Sequence, residues 1–169
     1  ATNKTIGMLK VDAIEERMLS INENLKINKY PQKITKENIN IFFENKNYDY
    51  VVDAIDLVSS KLELIKYCKN NDIPIISSMG AGNKLDPSLL EINCISKTFM
   101  CPLAKVIRKE LRKLKIEKLK VLYSKEIPIK PENINNSREK AKTVGSISFV
   151  PAVAGLLISS EIIKDIISK

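Results

Sequence analysis

The sequence predicts an α/β protein with a Rossmann-like, mostly parallel sheet flanked by helices. Short apolar runs that contain β-branched residues, at 51–55 and 73–76, have the length and composition of strands in a parallel sheet, and the run at 51–55 is predicted to be a buried strand. Between them, apolar residues recur every three or four positions over 59–71, which is the pattern of a helix with one buried face. Strand, helix and strand in this order form the repeating unit of a parallel sheet.

Composition narrows the possible functions. The 169 residues are 44% hydrophobic and 28% charged, which predicts one globular domain over 1–169. The sequence has no His, which excludes His-type metal sites and Ser-His or Cys-His nucleophilic pairs within it. Its three Cys form no C-x-x-C pair, which argues against a zinc site or a disulfide framework and favours the cytoplasm. The net charge of +8 favours a polyanionic partner.

The remaining elements follow from periodicity and turn signals. Amphipathic spacing predicts a helix over 8–24, and a short strand over 27–34 leads to a short helix that begins at Thr35 and ends near Asn45. Beyond the central strand we expect a helix at 59–71, strands at 73–78, 89–95 and 119–124, and helices at 101–116 and 149–167. The predicted core positions of the three middle helices are Ile39, Phe42, Phe43, Leu62, Ile65, Cys68, Leu103, Ile107, Leu111 and Leu114.

Two features of the last quarter of the sequence are less regular. Residues 126–148 are polar, contain two prolines and are predicted to be a loop. The helix at 149–167 is strongly apolar, but Glu161, Lys164 and Asp165 interrupt it, so its uncharged part is too short to cross a bilayer. We expect it to be a buried helix or a dimer interface.

Asp56 is the foremost candidate site residue. It stands at the end of the apolar run at 51–55, where ligands bind in open α/β sheets. It fits either a helix N-cap or turn residue, or a carboxylate that holds Mg²⁺ against nucleotide phosphates. The G-x-G at Gly80 and Gly82, after the next strand, fits either a phosphate loop or a plain turn.

A basic segment covers residues 105–125, which contain nine basic and two acidic side chains. Such a segment is either a solvated helix face or a surface that follows RNA phosphates, with little aromatic stacking to read sequence. The candidate nucleic-acid residues are Lys105, Arg108, Lys109, Arg112 and Lys113.

Several segments resemble the ThiF/MoeB/HesA family of ubiquitin-activating-like adenylyltransferases. The resemblance lies in 5–11 (TIGMLKV), 52–56 (VDAID) and 149–155 (FVPAVAG). Within the family, 53–87, Lys97-Thr98 and 102–104 with Arg108 are most similar to the tRNA threonylcarbamoyladenosine dehydratases, the TcdA/CsdL group.

The resemblance implies an enzyme that uses ATP and Mg²⁺. It would adenylate the carboxylate of threonylcarbamoyladenosine in tRNA and release AMP as the side chain cyclises. By this resemblance Lys10 would neutralise ATP phosphate charge, Asp56 would position Mg²⁺ and the triphosphate, and the protein would be a homodimer.

The alternative within the family is an adenylyltransferase that activates a ubiquitin-like sulfur-carrier protein for thiamine or molybdopterin synthesis. The two C-x-x-C pairs usual in that group are absent from this sequence. A Rossmann-like domain that binds a partner or RNA without turnover remains a second alternative. An NAD-dependent oxidoreductase would need a fingerprint that these residues do not contain.

The sequence also departs from the family pattern. The family's Gly-rich phosphate loop, its ribose-binding acidic residue and its Asn/Arg phosphate segment all precede the position that corresponds to Ala1. We therefore expect 1–169 to be the C-terminal part of an adenylyltransferase domain that by itself binds ATP weakly or not at all. No Cys aligns with the thiol that some of these dehydratases carry before the position of Tyr123.

Overall fold

A computed structural model describes residues 2–129 and 144–168. These residues fall into two compact units, Ala1–Glu44 and Asn45–Lys169. The prediction of a single domain stays a prediction, and each unit is described by itself below.

The first unit contains two helices, α1 (Lys10–Leu19) and α2 (Ile39–Phe43). Helix α1 is shorter than the predicted 8–24, because side chains bond the backbone beyond its end: Ser20 Oγ donates to Arg17 O, and Asn24 N donates to Asn22 Oδ1. Helix α1 has no buried residue, and the apolar face predicted for 8–24 stays largely exposed, at Ile14, Met18, Ile21 and Leu25.

The strand predicted at 27–34 is wrong. Residues 25–34 are irregular, with a bend at residue 32, and form no strand. Their half-buried positions, Ile27, Tyr30 and Ile34, lie three and four residues apart, whereas a strand with one buried face needs a spacing of two. The short helix after Thr35 is confirmed, with Ile39 and Phe43 buried and the Phe42 ring 5.0 Å from that of Tyr30.

The second unit is built on a four-stranded sheet. Its strands are β1 (Val51–Asp53), β2 (Ile75–Ser78), β3 (Leu90–Cys94) and β4 (Lys120–Ser124), and their order in the sheet is β1-β2-β4-β3. Strands β1, β2 and β4 are parallel, whereas β3 pairs antiparallel with β4. The mostly parallel sheet is confirmed.

Helices cover both faces of this sheet. Helix α5 (Phe149–Ile167) packs on one face through Val150, Ala154 and Ile158, against Ile76 and Leu122 of the sheet. Helices α3 (Val58–Asn70) and α4 (Pro102–Lys113) lie on the other face. Because side chains alternate along a strand, Ser77, Val121 and Tyr123 face this second layer, and all three are buried.

Two burial predictions need correction. Strand β1 is not fully buried: Val52 is 47% exposed, because β1 lies at an edge of the described sheet. Leu114, predicted to face the core, is exposed because α4 ends at Lys113 and the chain turns at Lys115, which has φ of 58°. Ile65, Cys68, Ile107 and Leu111 are buried as predicted, while Leu62 and Leu103 are half-buried.

None of the helices in the described ranges, 2–129 and 144–168, combines the length and apolarity that a membrane crossing requires.

Candidate nucleotide-end site

The carboxyl ends of three parallel strands meet at one edge of the sheet. The segments that leave this edge are 54–57 after β1, 79–86 after β2 and 125–129 after β4. Ligands of open α/β sheets bind at this edge, because the loops there diverge and leave a crevice.

A buried ion pair lies beneath this edge. Asp53 is the last residue of β1, Lys61 is in the first turns of α3, and both side chains have zero exposure. Lys61 Nζ lies 2.8 Å from Asp53 Oδ2, and it also donates to Ser77 Oγ at 3.1 Å and to the Ser78 carbonyl at 2.9 Å. The ammonium group has three protons, so every one of them has an acceptor.

The same network fixes the loop that follows β1. Ser77 Oγ donates to Asp53 Oδ2, while Asp53 Oδ1 accepts the Ile55 backbone N–H at 3.0 Å. One carboxylate therefore joins β1, β2, α3 and the start of the 54–57 loop. Removal of one partner from a buried pair leaves an uncompensated charge, which costs about 3–5 kcal/mol.

Asp56 lies in this loop, and its side chain is exposed. The N-cap of α3 is Leu57, which makes no side-chain capping bond, so the interpretation of Asp56 as a helix N-cap is wrong. The Asp53 carboxylate holds the chain at Ile55, and Asp56 is the next residue, a solvent-facing carboxylate at the strand end.

Lys10 is the first residue of α1, and its side chain is exposed. It belongs to the first unit, whereas Asp56 belongs to the second. The role of Lys10 toward a nucleotide stays a prediction.

The 79–86 loop is held by bonds within the protein. Asn83 N donates to Gly145 O at 2.8 Å, Asn83 Oδ1 accepts Gly145 N–H at 2.7 Å, and Asn83 O accepts Ile129 N–H at 2.7 Å. The backbone N–H groups of Leu85 and Asp86 donate to the Glu126 carboxylate. Because these three amide groups already have acceptors, the second half of the loop fits the plain turn better than a phosphate loop.

Lys84 in the same loop is almost fully buried. Its Nζ donates to the Ser124 carbonyl at 3.2 Å, so it closes the loop onto the end of β4. Burial lowers the pKa of Lys84, because the apolar surroundings disfavour the ammonium form.

The predicted RNA-binding residues lie on α4 and differ in their surroundings. Lys105, Lys109, Arg112 and Lys113 are exposed, and Lys113 pairs with Glu110 at 2.8 Å. Arg108 is half-buried, and its Nη1 donates to Thr98 O and Thr98 Oγ1, both at 2.6 Å. One side of the Arg108 guanidinium therefore stabilises the chain before α4.

The profile of the ThiF family matches residues 1–169. The chain belongs to the ThiF family. Its sequence is 38% identical over 173 residues to the tRNA threonylcarbamoyladenosine dehydratase of Bacillus subtilis, in an alignment that covers 96% of this chain and 68% of that protein. The predicted family is confirmed.

A solved structure shares the fold of this ThiF-family chain. The crystal structure of E. coli tRNA N6-threonylcarbamoyladenosine dehydratase, TcdA, in complex with ATP superposes with a TM-score of 0.87 at 27% identity. It covers 99% of this chain and 68% of that one. The adenylyltransferase and sulfurtransferase UBA4 of Vanderwaltozyma polyspora is less similar, at 27% identity over 57% of this chain and 22% of its own length.

For this ThiF-family chain, the sequence indicated Asp56 but not the ion pair beneath it. The available signal was the position of Lys61, which precedes Ile65 and Cys68 by four and seven residues and so falls on the buried face of α3. A lysine on an apolar face, after a strand that ends in aspartate, predicts a buried pair.

Proposed function

We propose that this chain is part of an ATP-dependent dehydratase that acts on threonylcarbamoyladenosine in tRNA. The observation that supports this most directly is a solvent-facing carboxylate, Asp56, beside the buried Asp53–Lys61 pair at the carboxyl edge of the sheet. The similar E. coli protein binds ATP and is named for this reaction. The similarity to named dehydratases also covers more of the chain than the similarity to UBA4.

The proposed reaction has two steps. A carboxylate oxygen of the threonylcarbamoyl side chain attacks the α-phosphorus of ATP, pyrophosphate leaves, and an acyl adenylate forms. The side chain then cyclises onto the activated carbonyl and AMP leaves, so the nucleoside loses the atoms of one water molecule. Negative charge on the phosphate oxygens has to be stabilised in the first step.

The residues of the chain fit this requirement. Mg²⁺ is commonly held by one or two carboxylates together with substrate phosphate oxygens. A carboxylate that shares the ion with a nucleotide matches this pattern, and among the described residues no group of three acidic or thiol side chains is placed to hold a metal by itself. Asp56 would supply that carboxylate, and Mg²⁺ would neutralise phosphate charge there. Lys10 would supply a fixed cation for the phosphates.

The proposed partners are tRNA and a second copy of the chain. The tRNA would lie along α4, on Lys105, Arg108, Lys109, Arg112 and Lys113.

Helix α5 supports a homodimer, because Leu156, Ile163 and Ile167 on it are more than half exposed. Sedimentation equilibrium that finds a monomer at micromolar concentration would remove the homodimer from the proposal. A protein that modifies tRNA with ATP would work in the cytoplasm.

Nucleoside analysis tests the proposal directly. The protein that contains this chain is incubated with ATP, Mg²⁺ and tRNA that carries threonylcarbamoyladenosine, and the nucleosides are measured by mass spectrometry. We expect conversion to the species lighter by one water, and at least a 100-fold loss of rate in Asp56→Asn, as for other groups that stabilise transition-state charge. Asp49→Asn, an exposed carboxylate just before β1, serves as the control and should retain activity.

Two outcomes contradict this proposal. Full activity in Asp56→Asn would remove Asp56 from the site. An unchanged nucleoside, with AMP formed instead when a ubiquitin-like sulfur-carrier protein is added, would assign the protein to sulfur transfer.

A further inference from the structure

A cleft opens at the edge of the sheet opposite Asp56. It has a volume of about 900 Å³ and lies between α4 and the starts of β2 and β4, where Pro74, Ile75 and Leu119 line it. The end of β3 and the turn that follows contribute Cys94 and Ile95. Because β1, β2 and β4 are parallel, this cleft lies at their amino ends, and the Asp53–Lys61 pair lies at their carboxyl ends.

The lining of this amino-end cleft is strongly basic. Its cationic side chains outnumber its carboxylates by six to two: Lys69, Lys97, Arg108, Arg112, Lys118 and Lys120 against Glu117 and Glu161. A cleft that collects one sign of charge next to low-dielectric walls concentrates ions of the opposite sign.

Two of these cations already have partners within the protein. Lys120 Nζ pairs with Glu161 at 2.7 Å and with Asp165 at 2.7 Å, and Arg108 bonds Thr98. The other four cations, Lys69, Lys97, Arg112 and Lys118, have no ion pair or hydrogen bond within 2–129 and 144–168. The cleft therefore has positive charge that is not neutralised by its own carboxylates.

The basic surface continues beyond the cleft along α4. Lys105 and Lys109 are exposed on that helix, and Lys115 follows its end. A helix of 12 residues is about 18 Å long, a distance that, counted along the axis of a duplex, corresponds to about five phosphates of one strand. A free nucleotide would use only one end of such a surface, whereas a polyanionic strand would use all of it.

We propose that the amino-end cleft binds backbone phosphodiesters of tRNA through Lys97, Arg112 and Lys118. The cleft continues the basic face of α4. This inference rests on the proposed function, which makes tRNA the substrate. It extends the RNA surface past α4 to the turn at Ile95–Lys97 and to the segment before β4. The five residues of β4 separate this cleft from the carboxyl edge by about 16 Å. Substitutions in the cleft should therefore affect tRNA binding without altering contacts at the carboxyl edge, where Asp56 lies.

The test measures binding of unmodified tRNA, so it requires no turnover. A Lys97→Glu/Lys118→Glu variant reverses two exposed cations of the cleft, and Lys26→Glu/Lys36→Glu makes the same change in net charge at two exposed lysines of the first unit. Affinities are measured by fluorescence anisotropy between about 50 and 200 mM salt, where the number of phosphate contacts sets the salt dependence. Circular dichroism verifies that both variants are folded.

We expect the cleft variant to bind tRNA at least about 10-fold more weakly, with a log–log salt slope smaller in magnitude by about 1–2. The control should stay within about 2-fold of the parent protein. Equal affinities and equal slopes for both variants would overturn the proposal. Excess AMP that displaces tRNA from the parent but not from the cleft variant would also overturn it, since the occupant would then be a free nucleotide.

The outcome is independent of the dehydratase assay. If tRNA binding depends on the cleft but threonylcarbamoyladenosine stays unchanged, the proposed reaction fails and the RNA site remains. If the nucleoside is converted at the same tRNA concentration dependence by parent and cleft variant, the reaction stands and the cleft is not its RNA site.

Discussion

Lys61 lies on the apolar face of α3, where its ammonium group has Asp53, Ser77 and Ser78 as its three acceptors. Full burial of this side chain is unusual, because lysine is rarely fully buried unless it is paired. The pair joins β1, β2 and α3 and thereby holds in place the three elements that meet at the candidate site. A hydrophobic residue at 61 would pack well but would leave Asp53 without its counter-charge.

We predict that Lys61→Met lowers the free energy of unfolding by about 3–5 kcal/mol, because it leaves the Asp53 carboxylate buried and unpaired. The double variant Asp53→Asn/Lys61→Met should be more stable than Lys61→Met, since the isolated charge is gone. Urea denaturation measures these two values and that of the single variant Asp53→Asn, which completes the double-mutant cycle. A double variant whose loss equals the sum of the two single losses would show that the pair is not coupled.

Sequence reasoning reached Asp56 and missed Asp53 for the same physical reason. Both are aspartates near the end of an apolar run, and only the position at which the strand ends decides which side chain turns inward. Strand β1 ends at Asp53, two residues before the apolar run at 51–55 ends. Hydrophobic spacing cannot fix that boundary, because Ala54 and Ile55 are as apolar as the strand itself.

At the scale of elements, helices with a clear stripe were predicted to within a few residues. Helices α3, α4 and α5 have apolar residues at the helical period, and α5 matches the predicted 149–167. The segment at 27–34 was misassigned because its apolar side chains suggested a strand, and pairing to a neighbouring strand cannot be read from composition. The predicted polar loop at 126–148 falls partly outside the described residues, at 130–143.

The loop after β2 gives a prediction that substitution of two glycines can test. A Cβ at Gly82 would lie 2.1 Å from Val144 Cγ1 and 3.3 Å from the Gly145 carbonyl, so the Val144 side chain would have to move and the Gly145 carbonyl, which accepts the Asn83 N–H, would be crowded. We expect Gly82→Ala to lower the free energy of unfolding by about 1–2 kcal/mol, as in other overpacked sites.

Gly155→Ala is the matched control for this change. A Cβ at Gly155 meets nothing within 4 Å, and the residue is inside α5, where alanine is favoured over glycine by about 0.5–1 kcal/mol. It should therefore stabilise the protein, as measured by thermal unfolding. Equal effects of the two substitutions would mean that the 79–86 loop does not depend on its contact with 144–145.

At the scale of the whole second unit, one polar cluster joins its first strand to its last helix. Tyr50, next to β1, donates from its hydroxyl to Asp165 Oδ2 at 2.8 Å, and Lys120 at the start of β4 pairs with both Glu161 and Asp165. Burial, and then the bond to Asp165, raise the pKa of Tyr50 to about 12. Burial alone would lower the pKa of Lys120, but its hydrogen bonds to Asp165 and Glu161 raise it above the usual value.

Both shifts give stability of the same sign. The folded state favours neutral Tyr50 and protonated Lys120, so their contributions are complete below about pH 10, where the unfolded groups hold their protons. They are lost as the pH rises through the raised values. We predict that the free energy of unfolding falls between pH 10 and 12 and that Tyr50→Phe makes this fall shallower. Urea titrations at several pH values measure the slope, and parallel curves would exclude a role for Tyr50.

The charge of the whole molecule also needed the structure for its interpretation. The sequence shows nine cations between residues 105 and 125, but it does not show that Arg108, Lys113, Lys120 and Lys125 have partners. Those partners come from residues up to 45 positions away, such as Asp165 for Lys120. Only after they are subtracted does the positive charge concentrate on α4 and the amino-end cleft.

The three cysteines differ in burial, and this has a consequence for how opening of the fold can be timed. Cys68 on α3 has zero exposure, and burial together with the nearby Asp53 charge raises the pKa of its thiol to about 11. Cys94 is half-buried, and although burial opposes it, hydrogen bonding to Ser96 lowers the pKa of its thiol. Because the thiolate is the reactive form, an alkylating reagent should modify Cys94 in the folded chain, but Cys68 only when α3 separates from the sheet. The rate of Cys68 alkylation thus reports how often the segment around Asp53 and Lys61 opens, and the reporting thiol is one that the chain already contains.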